Sequence, residues 1–243
     1  MPVVTIAGRI GSPSRQVGLE VARLLGADYI DHQILAQAAR HSGTPVEEMV
    51  QKDERATRGR ERIAKFFQTF LEKSAAAGTA GDPFLGPVAV EALMSRSLTE
   101  AALPAHNRVE QLNDERYLQV ISRVIQDEAR DNNAVLIGRG SNLILKDLPM
   151  ALHVYVVSSE ATRMGEVMRR ERLDAEAAKK FIKEREESRV GWYKKFFKVA
   201  PEDPTLYHIF LNIDRLGRDH AARIIAEAAR EMQRTSSSAA AGA

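Results

Sequence analysis

The chain has 243 residues, six histidines, no cysteine and a formal net charge of +2 at pH 7. Without cysteine there are no disulfides and no thiolate metal ligands, which suits a reducing cytoplasm, where we expect the protein. The histidines show no paired metal spacing, so no resident metal is expected. The small net charge gives no reason to expect nucleic acid or a membrane surface as a partner. No apolar run approaches the roughly 18 residues of a membrane span.

Strand and helix patterns alternate along the chain. Candidate strands lie near 3–7, 27–30, 134–138, 152–157 and 206–212. Several are nearly continuous apolar runs, which are typical of strands covered on both faces. Amphipathic helical patterns separate them, and we therefore predict an α/β fold with a five-stranded parallel sheet and helices on both faces.

Two segments exceed what a minimal α/β core needs. Residues 45–112 form a long insertion, and residues 158–198 form a helical segment dense in Arg and Lys. The predicted core is then 1–44, 113–157 and 199–233, followed by a small-residue tail at 234–243 that we expect to be disordered. Within these parts, we expect 75–87 and 185–203 to be loose without ligand, because both have few apolar anchors.

The stretch "GRIGSPSR" links the first strand to the first helix, where phosphate-binding loops occur. Candidate phosphate ligands are Gly8, Gly11, Ser12, Ser14 and Arg15, since glycine-rich turns and helix N-termini present N–H groups to anions. Pro13 removes one N–H, and Ser14 stands where a standard loop has Lys. Arg15 or Arg9 is a candidate replacement for that charge. The alternative is a plain turn with Ser14 as the helix N-cap.

The opening "VVTIAGRIGSPSRQVGLEVARLLGADYIDHQILAQAA" and the stretch "LIGRGSNLIL" followed by "LHVYV" resemble the cytidylate kinase-like family. The resemblance implies a P-loop nucleoside monophosphate kinase fold, with a monophosphate-binding insertion at 45–112 and an arginine-bearing lid at 158–198. It also implies nucleotides as partners and ATP as cofactor, with Mg²⁺ arriving with the nucleotide. The chain departs from the family at Pro13 and Ser14, and "GRG" stands where the better-known cytidylate kinases have "GRD".

Arginines are the candidate catalytic groups, because phosphoryl transfer depends on charge neutralisation. Arg139 follows a buried strand, at the sheet edge where α/β proteins bind ligands; in the resembling family it faces the monophosphate. The resemblance places some lid arginines over the phosphates. The alternative is a solvated helix with pairs such as Glu166 with Arg170. The predicted catalytic set is Arg15, Arg139, Arg163 and Arg170.

Asp31, Arg139 and Arg189 are the predicted substrate-binding residues. Asp31 is expected to contact the nucleoside or Mg²⁺, or else to cap the following helix. Arg189 begins a stretch that matches the family's Arg-x-x-x-Tyr region. Nearby aromatic residues either stack on a base or pack the helix on the core; these are Trp192, Phe196 and Phe197.

The function predicted from the resemblance is transfer of a phosphoryl group from ATP to a nucleoside monophosphate, with CMP or dCMP as acceptor. Two alternatives remain open. One is a catalytically degenerate nucleotide-binding or regulatory module, because of Pro13 and Ser14. The other is an oligomeric structural protein, for example a homodimer formed through the apolar face of "IAKFFQTFLEK".

Overall fold

The computed structural model describes residues 2–31, 114–131 and 133–241. The first part of the chain forms β1 (Val3–Gly8), α1 (Ser14–Leu25) and β2 (Asp28–Ile30). The middle part forms α2 (Asp114–Asp131), β3 (Ala134–Ile137), α3 (Ser141–Ile144) and β4 (Ala151–Val157). The last part forms α4 (Glu160–Glu171), α5 (Ala175–Phe197), a 3₁₀ turn (Pro204–Leu206), β5 (Ile209–Asn212), α6 (Ile213–Leu216) and α7 (Arg218–Ala241).

The five strands form one parallel sheet in the order β2-β3-β1-β4-β5. This confirms the predicted fold class. The central strand β1 lies between β3 and β4, with Val3 opposite Ala134 on one side and Ala151 on the other. The carboxyl ends of these three strands therefore meet at one edge of the sheet, where the loops after β1 and β3 begin.

Both faces of the sheet are covered, as the continuous apolar strands predict. On one face, residues such as Val4 and Ile6 pack with the apolar sides of α1 and α7. On the other face, residues such as Leu136 pack with α2 and with Trp192 and Tyr193 near the end of α5. The central strands thus lose apolar surface to helices on both sides, which holds the loop-bearing edge in place.

A polar pair lies within this second face. The Nδ1 atom of buried His153 is 2.8 Å from the hydroxyl oxygen of Thr5 on the neighbouring strand. The His153 ring also stacks on His208 at 5.0 Å between centroids. Burial, and then the proximity of His208, lower the pKa of His153 from 6.5 to about 4. This histidine is therefore neutral in the folded protein at neutral pH.

The segment at 158–198 is helical, as predicted, but it divides into α4 and α5 around the turn at 172–174. The expectation that 185–203 has few apolar anchors is wrong, because Trp192 and Tyr193 are buried in the core and Phe196 and Phe197 pack against it. The insertion at 45–112, including 75–87, lies outside the described residues.

Two chain segments differ from the sequence-based expectation near the C-terminus. The fifth strand begins at Ile209 and not near 206, because the Asp203 carboxylate accepts the N–H of Thr205 and starts a 3₁₀ turn. The tail is not disordered from 234, since α7 continues to Ala241. Alanine, which is frequent there, has the highest helix propensity and extends a helix already anchored on the sheet.

Candidate functional site

The loop after β1 is a tight turn that delivers the chain into α1. The N–H of Ser12 donates to the Arg9 carbonyl at 2.9 Å, and Gly11 has a φ of 84°, which favours glycine. Pro13 is the N-cap of α1 and provides no side-chain hydrogen bond. Ser14 is therefore the first residue of the helix and not its cap. The positive end of α1 is left without a capping side chain, as an anion-binding helix end requires.

Two serine hydroxyls fill the inside of this turn. The Ser12 and Ser14 Oγ atoms are 2.7 Å apart. A Cβ atom at Gly8 would lie 2.5 Å from each of them and 2.9 Å from the Val156 carbonyl oxygen. Gly8 is thus required by the packing, and it brings both hydroxyls to the N-terminus of α1, where they can donate to an anion.

Helix α4 lies directly against the loop and places Arg163 beside it. A Cβ atom at Gly11 would be 2.7 Å from the Arg163 carbonyl oxygen, so only glycine fits. The Arg163 residue is 8% exposed, and its one hydrogen bond within the described residues, from Nη1 to the Ile10 carbonyl, is long at 3.4 Å. Its Nε has no hydrogen-bond partner among the residues that the structure describes. No described carboxylate lies within ion-pair distance, so this buried cation favours an anion beside the loop.

Asp31 joins two of the predicted arginines. Its Oδ2 is 2.9 Å from Arg15 Nε, and its Oδ1 is 3.1 Å from Arg139 Nη1. Arg139 also donates to the Asp31 carbonyl at 2.9 Å. The Asp31 and Arg139 side chains are only 5% and 1% exposed. The structure therefore brings three predicted site residues together at the ends of β2 and β3 and beside the loop.

This pairing changes the expected role of Arg15. We expected Arg15 to replace the missing lysine of the loop, but its Nε is held by the Asp31 carboxylate. The proposed N-cap role of Asp31 concerns a helix outside the described residues. Arg170 donates from Nε to neighbouring Glu171 at 2.8 Å, and its catalytic role stays a prediction.

Arg189 belongs to an ionic chain that begins and ends in the loop. The N–H of Ile10 donates to Glu186 Oε2 at 2.9 Å, and Arg189 Nε donates to Glu186 Oε1 at 3.0 Å. Arg189 Nη2 also donates to Glu202 Oε1 at 2.9 Å, and Arg9 Nε donates to the same oxygen at 3.0 Å. The hydrogen bond from Arg9 lowers the pKa of Glu202. Residues 9 and 10 are thus tied to α5 and to the turn that follows it.

Sequence reasoning missed both glutamates of this chain. Glu186 lies three residues before Arg189, a spacing that predicts an ion pair on one helix face. That signal could have placed Glu186 beside Arg189. The contact with the Ile10 N–H depends on the fold, because 176 positions separate the two residues.

The aromatic residues at the end of α5 pack on the turn after β3. A Cβ atom at Gly140, which has a φ of 66°, would be 2.6 Å from the Phe197 ring and 3.3 Å from the Trp192 ring. The second glycine of "GRG", Gly140, is therefore needed for this packing. Trp192 and Phe197 lie in the apolar cluster of the second sheet face, together with Phe196. This agrees with the packing interpretation and not with base stacking.

The donor set at the loop suits a polyphosphate better than a protein-held metal. Within residues 2–31, 114–131 and 133–241, no three side chains of His, Asp or Glu form a metal cluster. In the part of the chain that the structure describes, the nearby carboxylates already bind arginines, which leaves the Ser12 and Ser14 hydroxyls as candidate ligands for a cation that arrives with phosphate. Across the same ranges, every helix is too short or too polar to span a bilayer.

Comparisons with known proteins find relatives in sequence and in fold. Two curated relatives described as cytidylate kinases are 24% identical over 107 residues, from Methanoregula boonei, and 28% identical over 113 residues, from Methanopyrus kandleri. These matches cover 44% and 43% of this chain, and the chain spans 58% of the length of each relative. A solved structure of an uncharacterized protein from Eubacterium ventriosum has a TM-score of 0.60 at 16% identity, covering 95% of this chain and 98% of that one.

The family comparison extends over most of the sequence. The sequence model of the cytidylate kinase-like family matches residues 3–215, which include all five strands and the loop at residues 8–15. The parallel sheet, the loop at its edge and this match together show that the chain belongs to the cytidylate kinase-like family.

Proposed function

We propose that the protein transfers a phosphoryl group from ATP to a nucleoside monophosphate, with CMP or dCMP as acceptor. The observation that carries this proposal is Arg163, a buried guanidinium that lies against the phosphate loop without a carboxylate partner in the described residues. Burying an unpaired charge is unfavourable, so the site is complete only with an anion present. A polyphosphate supplies that anion.

The described residues suggest how the phosphates would be held. The open N-terminus of α1 and the hydroxyls of Ser12 and Ser14 would bind phosphate oxygens, while Arg163 neutralises charge from the side of α4. Bound ATP with Mg²⁺ would supply the phosphoryl group and part of the charge neutralisation. Arg139, held in place by Asp31 at the same sheet edge, is the candidate ligand for the acceptor phosphate.

The choice of acceptor rests on relationship alone. The two curated relatives are described as cytidylate kinases, and the family carries the same name. The segment that the resemblance assigns to acceptor binding, 45–112, lies outside the described residues. CMP and dCMP are therefore the first acceptors to test, followed by the other common monophosphates.

Nucleotide binding without transfer is a second candidate function. The loop favours it, because Pro13 has no N–H and the Ser12 N–H is already used within the turn. Fewer donors then remain for phosphate than in a standard loop. A binding or regulatory module needs only part of this donor set.

A turnover assay separates the two functions. ADP release with ATP, Mg²⁺ and each common monophosphate should show turnover with CMP or dCMP above the other acceptors. Calorimetric titration with a non-hydrolysable ATP analogue measures binding independently. Binding without ADP release for any acceptor supports the second function. Absence of binding contradicts both.

A further inference from the structure

The carboxylate of Glu186 accepts hydrogen bonds both from the loop and from a buried arginine of its own helix. One of its oxygens accepts the Ile10 N–H at 2.9 Å, and the other accepts from Arg189 Nε at 3.0 Å. A backbone N–H and an arginine are the pair of donors that proteins commonly offer to phosphate. Glu186 thus satisfies a phosphate-type donor pair with an anion from the protein itself.

We propose that the position of the Glu186 carboxylate is a phosphoryl-oxygen subsite, and that Glu186 competes with the bound polyphosphate for it. This deepens the proposed function and rests on it. In the ligand-free protein the carboxylate keeps the loop and Arg189 satisfied. When a polyphosphate binds, its oxygen takes the Ile10 N–H and Arg189, and Glu186 turns away.

A buried hydroxyl supports the presence of a ligand position here. Tyr155 is 2% exposed, and its hydroxyl has no hydrogen-bond partner in the described residues. Tyr155 lies opposite Ala7 on the neighbouring strand β1, at the sheet edge where the loop begins. Burial raises the pKa of Tyr155 to about 12, which keeps the phenol protonated and able to donate. A phosphate oxygen at the subsite would give it an acceptor.

Displacement of Glu186 leaves its partners satisfied. The side chain of Glu186 is 21% exposed, so its carboxylate can reach solvent by changing rotamer. Arg189 is 4% exposed and keeps its ion pair with Glu202 when Glu186 leaves. The phosphate therefore replaces one anion by another on the same two donors.

The test measures anion binding apart from catalysis. Calorimetry with inorganic tripolyphosphate is performed on the full chain and on Glu186→Gln, with Glu187→Gln as control, because Glu187 is exposed one position further along the helix. Replacing the competing charge should tighten binding about tenfold, given the strength of hydrogen bonds to charged groups. The control substitution Glu187→Gln should change the dissociation constant for tripolyphosphate by less than about twofold. A purely structural role of Glu186 predicts weaker binding instead.

A second measurement does not depend on the variant folding. In the unsubstituted protein labelled with ¹⁵N, saturation with tripolyphosphate should shift the Ile10 amide resonance. An unmoved Ile10 amide, unchanged or weaker binding to folded Glu186→Gln, or no binding to either protein overturns the subsite. ATP-dependent transfer to monophosphates is measured on the same samples. If transfer occurs but Glu186→Gln does not bind tripolyphosphate more tightly, the subsite alone is contradicted. If Glu186→Gln binds more tightly but no transfer occurs, the kinase function alone is contradicted.

Discussion

Substitution of Arg163 by methionine should change stability and activity in opposite directions. Methionine keeps an unbranched apolar stem of similar length and removes the charge. Arg163 is 8% exposed, and its guanidinium makes one hydrogen bond of 3.4 Å within the described residues, so little there offsets the cost of burying it. We expect Arg163→Met to raise the free energy of unfolding by about 1 kcal/mol, measured by urea denaturation without nucleotide.

The same substitution should weaken the interaction with phosphate. A hydrogen bond to a charged group contributes about 2 kcal/mol, which corresponds to roughly a 30-fold change in equilibrium constant. We expect the dissociation constant for a non-hydrolysable ATP analogue, or kcat/KM in the ADP-release assay, to worsen by about that factor. The two effects of one variant thus have opposite signs.

Arg169→Met is the matched control on the same helix. The Arg169 side chain is 65% exposed and pairs with Glu166 at 2.9 Å, so its loss should change stability by less than about 0.5 kcal/mol and leave nucleotide affinity unchanged. The reasoning is refuted if Arg163→Met destabilises the protein while nucleotide affinity stays the same. Arg163 would then stabilise the contact between α4 and the loop and have no part in binding.

Three further predictions concern stability. Asp31→Asn should lower the free energy of unfolding by about 3 kcal/mol in urea, since it removes the buried carboxylate that pairs with both Arg15 and Arg139; a change below about 1 kcal/mol contradicts the ion-pair argument. Gly11→Ala should lower the free energy of unfolding by more than about 2 kcal/mol, because the new Cβ would lie 2.7 Å from a backbone oxygen of α4. Gly26→Ala is the control: its Cβ would meet open space, so only its positive φ should lower stability, by about 1 kcal/mol. Because the pKa of His153 falls from 6.5 to about 4 on folding, the unfolded state binds more protons between these values. Stability is therefore full above pH 6.5 and should drop by up to about 3 kcal/mol towards pH 4, a slope that His153→Gln should remove.

The sheet was predictable from sequence because its strands carry their own signal. Runs such as "VVTIA" and "LHVYVV" are apolar on both sides, which only a sheet covered on both faces accommodates. The start of β5 was not predictable in the same way. A single hydrogen bond from Thr205 to the Asp203 carboxylate diverts the chain into a 3₁₀ turn before Ile209.

The site residues were predictable one by one, but their pairing was not. The sequence indicates Arg15, Asp31 and Arg139 as separate candidates, because each lies beside a strand end or loop. The pairing of the Asp31 carboxylate with Arg139 depends on the side-by-side arrangement of β2, β3 and β1. This arrangement brings atoms of residues distant in sequence within 3.1 Å of each other. Glu186 was missed for the same reason, since its partner in the loop is remote in sequence.

The burial of Trp192 and Tyr193 has a consequence for the timescale on which the loop can be released. At a rise of 1.5 Å per residue, Glu186 lies about 9 Å along the helix axis from Trp192, so even a 10° tilt of α5 about that end would move Glu186 only about 1.6 Å. Such a tilt would also disturb the rings packed on Gly140. Rotation of the Glu186 side chain alone leaves both the helix axis and these rings in place. We therefore expect release of Ile10 to occur by rotamer exchange of Glu186, faster than the microsecond-to-millisecond collective motion of a helix.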